Sequence, residues 1–222
     1  MTSKNMVVCT AMVAGYVENG EDVESLKLFQ EMTLRDGTMP NKITLVTILP
    51  AVGSLASLVE GKQIHGFAIR LGLNSETSLN NALIDMYSKC GTMHRARCIF
   101  DDESWKKDII SWSSMISCYG IHGKGDQAIT FFRKLSSVNF KLNYITSLAI
   151  LSACARGGLA MEGLEICNSL VKNHAVMPTV EICSCMVDML GRAGQLHHAL
   201  DFINSMPIAP PLVFGVLFLV IQ

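Results

Sequence analysis

MVAGYVENGEDVESLKLFQEM, residues 12–32, and MISCYGIHGKGDQAITFFRKL, residues 115–135, are one pattern written twice, 103 residues apart. Met12 meets Met115, Tyr16 meets Tyr119, Gly20 meets Gly123 and Phe29 meets Phe132. Further along, Asp85, Met86, Gly91 and Ala96 recur as Asp188, Met189, Gly194 and Ala199. Between these blocks, Leu49, Ala51, Gly61 and Ile64 return 102 residues later as Leu151, Ala153, Gly163 and Ile166. Such self-similarity is the mark of an array of similar units. Arrays work through an extended surface more often than through one catalytic pocket.

The apolar spacing inside the stretch is helical. Val8, Met12, Val13 and Tyr16 fall on one face, Gly20 occupies a turn, and Val23, Leu26, Phe29 and Met32 mark a second stripe. Gly91, Gly123 and Gly194 stand at the equivalent turn, where a left-handed backbone costs glycine little. Pro40 and Pro178 sit just past second helices, which they cannot continue. Aligning the stripes divides the chain into units at 6–41, 42–76, 77–108, 109–143, 144–179 and 180–211, of 36, 35, 32, 35, 36 and 32 residues. Three unit types are thus used twice in the same order. Residues 1–5 read as a leader or the end of a further motif, and 212–222 as an apolar tail. No unit shows sustained strand alternation. A single helical pair cannot bury both its stripes, so neighbours must stack. The expected fold is all-α: an α-α superhelix, a right-handed solenoid of six helix-turn-helix repeats.

Composition limits what such an array can be. Half of the 222 residues are hydrophobic, and the mean hydropathy is +0.34. The longest apolar run, Leu212–Ile221, is interrupted by Gly215 and falls short of the roughly 20 residues a bilayer demands. It reads instead as an association-prone end that promotes aggregation. Eight cysteines, at 9, 90, 98, 118, 154, 167, 183 and 185, lie mostly on apolar stripes and read as small buried hydrophobes. A net charge of −1 and a pI near 6.6 argue against a broad basic face. The cations that could still gather on one surface are Lys62, Arg70, Lys89, Arg95, Arg97, Lys106, Lys107, Lys124, Arg133 and Lys134. Each is singly accounted for by a solvated helix face.

Catalytic signatures are missing from the sequence. A zinc deaminase requires His-x-Glu and Pro-Cys-x-x-Cys, for metal ligands and a proton-shuttling glutamate. Neither occurs, and Cys183 and Cys185 have the wrong spacing. There is no Walker loop and no Gly-x-Ser-x-Gly elbow. Gly123-Lys124-Gly125-Asp126-Gln127-Ala128 matches a relaxed dinucleotide fingerprint, but that motif follows a strand, and Trp112 to His122 reads as a helix. His197 and His198 are adjacent rather than three or four apart, and read as surface residues. We expect no catalytic residue, no metal and no cofactor.

TAMVAGYVENGEDVESLKLFQEM (10–32), GKQIHGFAIRLGL (61–73), NALIDMYSKCGTMHRARCIF (81–100), DIISWSSMISCYGIHGK (108–124) and CMVDMLGRAGQLHHAL (185–200) resemble the pentatricopeptide repeat family, specifically its plant PLS subfamily. The alternating motif lengths fit that subfamily and not the uniform period of the tetratricopeptide repeat. The resemblance implies sequence-specific binding of single-stranded organelle RNA, one base per motif, in RNA processing or C-to-U editing. Editing-complex proteins would be further partners. Neither DNA nor a membrane is implied. It also implies a mitochondrial or chloroplast location, although no transit peptide is visible before Met6. Family members usually continue at both ends, and this chain reads as truncated there.

In the family, the fifth and last residues of a motif read a base edge and the second residue sandwiches the base. Carried over, the first motif offers Thr10 with Asn41, for adenine. The third offers Asn81 with Asp108, for uracil, and the fourth Ser113 with Asn143, again adenine. Val7 and Ile110 suit the sandwiching place; Ser78 is a weaker match. Val46 with Glu76, and Leu148 with Thr179, read as spacers. The sixth motif has Ser184, but its last residue is Pro211. Two further functions remain open on the residues: a protein-interaction scaffold, which the charge favours, and a non-functional truncation, which the apolar tail favours.

Overall fold

The computed structural model describes residues 6–35, 37, 39–138, 140–174 and 179–205. Among them are twelve α-helices and no strand. The helices are α1 Met6–Glu18, α2 Asp22–Gln30, α3 Lys42–Ser54, α4 Leu58–Arg70, α5 Thr77–Lys89, α6 Met93–Asp101, α7 Ile109–Ile121, α8 Gly125–Ser137, α9 Tyr144–Gly157, α10 Ala160–His174, α11 Val180–Arg192 and α12 Leu196–Ser205. They come as six consecutive pairs. The odd-numbered helices begin at residues 6, 42, 77, 109, 144 and 180. Pro178, Pro211, the leader and the apolar tail lie outside the described residues.

The chain falls into two compact units, Met1–Cys118 and Tyr119–Gln222. In the first, α1 packs on α2 and α3, α3 on α4 and α5, and α5 on α6. In the second, α8 and α10 pack on α9, which packs on α11, and α11 packs on α12. Within each unit, helices thus pack on their own partners and on the neighbouring pair, as stacking of amphipathic hairpins requires. The core of the first unit is densest at α3, where Leu45, Ile48, Leu49, Ala51 and Val52 are buried, and at α5, where Leu79, Leu83, Ile84, Met86 and Tyr87 are. In the second, Ile150, Leu151, Ala153 and Cys154 of α9 and Met186, Val187, Met189 and Leu190 of α11 are buried, and the two helices pack on each other.

The sequence recurrences acquire physical reasons. Gly20, Gly91, Gly123 and Gly194 take φ of +75°, +76°, +65° and +70°, the left-handed region that reverses the chain between paired helices. The dinucleotide fingerprint dissolves accordingly: Gly123 is that turn glycine and follows helix α7. Gly61 and Gly163 recur because a methionine of the next helix needs the space. A Cβ on Gly61 would come within 2.4 Å of Met86 Sδ, and one on Gly163 within 2.5 Å of Met189 Cε. The α3–α4 turn differs, placing Ala56 at φ +51°.

Three expectations need correction. The first stripe was assigned to Val8, Met12, Val13 and Tyr16, but Cys9 and Val13 are the buried residues of α1, and Val8 and Met12 are exposed. Their counterparts Ser111 and Met115 are fully buried. The difference is that α7 has α6 beside it, with Phe100 set edge-on to Trp112 at 5.1 Å, whereas no described helix precedes α1. Val23 is likewise exposed, and beyond Gln30 the second helix widens into one π-helical turn, Glu31–Arg35. The cysteine reading holds for Cys9, Cys118, Cys154, Cys167 and Cys183. Cys90 and Cys185 are half-buried and Cys98 is exposed. Burial pushes the Cys154 thiol up to about 12 and that of Cys167 to about 11, which makes them inert.

Candidate nucleic-acid interface

The expected reading residues sit at two kinds of place. Those at second and fifth positions lie in the first two turns of α1, α5, α7 and α11. Those at last positions lie just before the next odd helix begins, where four backbone N–H groups need partners. Asn41 caps α3, its Oδ1 accepting from Thr44 N at 2.9 Å. Asn143 caps α9 in the same way, from Thr146 N at 2.9 Å. Asp108 Oδ1 accepts from Ser111 N at 2.8 Å, while Asp108 N donates to Ser111 Oγ at 3.1 Å, a reciprocal capping box. The motif spacing is thus fixed by helix-capping chemistry, because Asn and Asp are strong caps.

Two of the expected pairs come together in the first unit. Asn81 Nδ2 donates directly to Asp108 Oδ1 at 3.1 Å. Ser111 Oγ joins both, 2.7 Å from Asn81 Oδ1 and 2.9 Å from Asp108 Oδ1. Thr10 and Asn41 are joined through a third residue: Thr10 Oγ1 lies 2.8 Å from Thr44 Oγ1, which lies 3.0 Å from Asn41 Oδ1. Burial pushes the Asp108 carboxyl up, yet hydrogen bonds from Ser111, Asn81 and the Ile110 amide outweigh it and hold the group below the usual carboxylate range. Asp108 is therefore an anion, an acceptor only.

The remaining fifth-position residues lie in α7 and α11. Ser113 is buried and donates its hydroxyl proton to Ile109 O at 2.8 Å. Ser184 does the same to Val180 O at 2.7 Å. The partner assigned to Ser184, Pro211, is outside the described residues. Among the spacer residues, Glu76 makes no side-chain cap and instead pairs with Lys42 Nζ at 2.8 Å. Thr179 caps α11 weakly, at 3.5 Å from Ile182 N.

Val7 and Ile110 stand out from the surface, 67% and 51% exposed, and Ser78 is exposed as well. Sequence reasoning passed over two equivalents. Ile43 and Ile145, in motifs set aside as spacers, are 63% and 59% exposed at the same register position. Single exposed apolar residues are ordinary. A β-branched residue left exposed at the second place of four helices is a pattern, and it was present in the sequence to be found.

Six of the candidate cations lie on second helices, away from this register. Lys62 and Arg70 lie on α4, Arg95 and Arg97 on α6, and Arg133 and Lys134 on α8. Lys89 pairs with Asp85 at 2.9 Å and Arg97 with Asp101 at 2.5 Å, while Arg70 stacks on Phe67 at 4.5 Å. Lys107 bonds the carbonyls of Asp102 and Trp105. His197 and His198 are exposed on α12, and no metal-holding group of side chains occurs among the described residues.

A family model described as the PPR repeat matches residues 7–36, 81–102, 110–140 and 181–208. The chain belongs to the pentatricopeptide repeat family. It is 39% identical over 207 residues to Arabidopsis thaliana pentatricopeptide repeat-containing protein At1g06140, mitochondrial, covering 93% of this chain and 37% of that protein. It is 37% identical over 217 residues to the Arabidopsis protein CRR2, chloroplastic, covering 97% of this chain and 33% of that one. The chain thus spans roughly a third of the length of these curated relatives. Among solved structures it is similar to the pentatricopeptide repeat protein PPR10 from maize, at 17% identity and a TM-score of 0.53, over 94% of this chain and 35% of that one. PPR10 in complex with an 18-nt psaJ RNA element matches at 16% identity and 0.52, over 93% and 36%. These two likenesses bear on the fold, a stack of pentatricopeptide helical pairs.

Proposed function

We propose that this chain reads single-stranded RNA in sequence, as a specificity module of organelle RNA processing. The carrying observation is the direct bond between Asn81 and Asp108, with the bridged pair Thr10 and Asn41 beside it in the same unit. In each of these motifs the fifth and last residues are brought together, in the pairing that the base assignments require. Relatives named mitochondrial and chloroplastic support the organelle setting. The solved complex of PPR10 with an RNA element supports the ligand. Motif lengths of 36, 35, 32, 35, 36 and 32 residues support membership of the PLS subfamily and a part in C-to-U editing, with another protein supplying the chemistry.

The expected register is A-x-U-A, with x opposite Val46 and U opposite Asn81 and Asp108. The test is equilibrium binding of the purified chain to short RNAs at one stated low salt, changing one base at a time. Equal binding of all base-swapped RNAs overturns sequence reading. No binding to any single strand favours a protein scaffold instead. That second reading has its own support in the exposed hollow of about 530 Å³ lined by Leu34, Gln63, Gly66, Phe67, Ile69 and Arg70, on the second helices.

A further inference from the structure

A hydroxyl lies at the third place of α3, α7 and α9: Thr44, Ser111 and Thr146, all fully buried. At the third place of α5 and α11 stand Leu79 and Ile182. The division follows the reading pairs. Each hydroxyl comes three residues after the last residue of a readable motif, namely Asn41, Asp108 and Asn143. Leu79 and Ile182 come three residues after Glu76 and Thr179, the ends of the two spacer motifs. Capping alone does not require this, since the backbone N–H at that place already meets the cap in α3, α7 and α9.

We propose that these buried hydroxyls are positioning residues that set which side-chain atoms of a reading pair donate and which accept. The proposal rests on the RNA-reading function above. Ser111 Oγ has one proton. Asp108 Oδ1 already accepts from Ser111 N and Asn81 Nδ2, whereas Asn81 Oδ1 lies 2.7 Å from Ser111 Oγ. Donation to Asn81 Oδ1 satisfies both acceptors. It turns the amide oxygen inward and leaves an N–H of Asn81, with the second carboxylate oxygen of Asp108, for a ligand. Uracil offers a carbonyl and N3–H to such a pair. Cytosine offers the amine N4–H and an unprotonated N3, which meets a carboxylate unfavourably.

The same logic runs through Thr44. Asn41 Oδ1 accepts from Thr44 N and Thr44 Oγ1, so its NH₂ is left to donate. With the Thr44 proton committed to Asn41, Thr10 must donate to Thr44 Oγ1 at 2.8 Å, and its own oxygen is left to accept. A donor beside an acceptor matches adenine N1 and N6–H. Guanine, with N1–H and O6, presents the reverse. Thr146 holds Asn143 Oδ1 at 2.9 Å through both its N and Oγ1.

The experiment uses the full chain and RNAs that differ only opposite the first motif (A or G) or the third (U or C). Wild type should prefer A and U by about tenfold each. Ser111→Ala should cut the U-to-C ratio to within about threefold while leaving the A-to-G ratio intact. Thr44→Val should do the reverse. Ser111→Thr and Thr44→Ser, which keep the hydroxyl, should retain both ratios. If wild type discriminates and both hydroxyl-free variants discriminate equally well, the positioning role is refuted while the RNA reading stands. A wild type with no base preference overturns the RNA reading itself and the positioning role with it. Should one variant lose its helical signal, the other decides. If both do, the hydroxyls serve the fold and the proposal fails.

Discussion

Asp108→Asn separates capping from reading at a single residue. Asn and Asp are comparable caps, so the start of α7 should survive. Losing the charge at a helix N-terminus costs about 0.3–1 kcal/mol. Asp108→Ala, by contrast, removes the acceptor for Ser111 N and Asn81 Nδ2, and should cost about 1–2 kcal/mol from the cap alone. On RNA the order reverses. In Asp108→Asn the oxygen facing Ser111 and Asn81 can be kept, while the outer atom changes from an acceptor to a donor. Uracil N3–H then loses its acceptor and cytosine N3 gains a donor. A good polar pair at a base is worth about 1–3 kcal/mol by analogy with duplex readout, or about 5- to 150-fold. The assay is the ratio of affinities for two RNAs differing only in that base, since total affinity is salt-dependent. The ratio should move from uracil toward cytosine by at least fivefold, about the low end of that range. The wild-type ratio should also hold flat from about pH 8 to pH 5, because hydrogen bonds depress the Asp108 carboxyl below its ordinary value near 4. Stability contributed by a depressed carboxyl is present above its unfolded pKa and is lost as pH falls through the folded one. An unchanged uracil-to-cytosine ratio in Asp108→Asn, with binding intact, would refute the assignment of this pair.

The remaining predictions concern the scaffold. A Cβ on Gly120 would lie 2.8 Å from Ala153 Cβ and 2.9 Å from Ala153 Cα, atoms fixed to backbone, so Gly120→Ala should lose about 1–3 kcal/mol, less about 1 recovered in helix propensity. Gly15, with nothing within 4 Å, should gain about 0.5–1 kcal/mol as Gly15→Ala, and urea midpoints at constant slope would expose any failure of this contrast. Ala56→Gly should raise the thermal midpoint slightly, since a left-handed alanine costs about 1–2 kcal/mol and glycine gives back only part of the gain; a lower midpoint would contradict the strained turn. Burial, helped by Arg95, lowers the pKa of His65, whose Nδ1 lies 3.0 Å from Tyr87 Oη. The unfolded chain then binds the proton more readily, so stability should fall as pH drops through about 6.5, and His65→Gln should flatten that slope.

The fold was legible because stacked hairpins write their contacts into the sequence at a fixed interval. Gly61 before Met86 and Gly163 before Met189 show why: the missing side chain and the long one occupy the same space. Less legible was which apolar residues would be covered. Val8 and Met12 read like Ser111 and Met115 by register, but burial depends on a neighbouring helix that periodicity within one unit does not reveal. At the candidate site, the family resemblance named Asn81 and Asp108, whose side chains are hydrogen-bonded. It missed the hydroxyls of Thr44 and Ser111, because attention fell on the motif positions of the family and not on what a buried amide needs. It also discarded Ile43 and Ile145 with their spacer motifs, although their side-chain type matched Val7 and Ile110.

Asn41, Asp108 and Asn143 each finish one motif while opening the first helix of the next. The length of chain proposed to recognise a base is therefore out of phase with the length that folds. A designer who exchanged whole motifs at their boundaries would carry each terminal residue away from the helix it caps and the hydroxyl that orients it. Grafts cut instead between paired helices, at turns such as Gly20, Gly91 or Gly123, would keep each terminal residue with the helix it caps and with its hydroxyl, but would part it from the fifth-position residue it meets. By the same token, an RNA that engaged the last residue of one motif as proposed would stabilise the start of the following one, and occupancy at one base would favour order at the next.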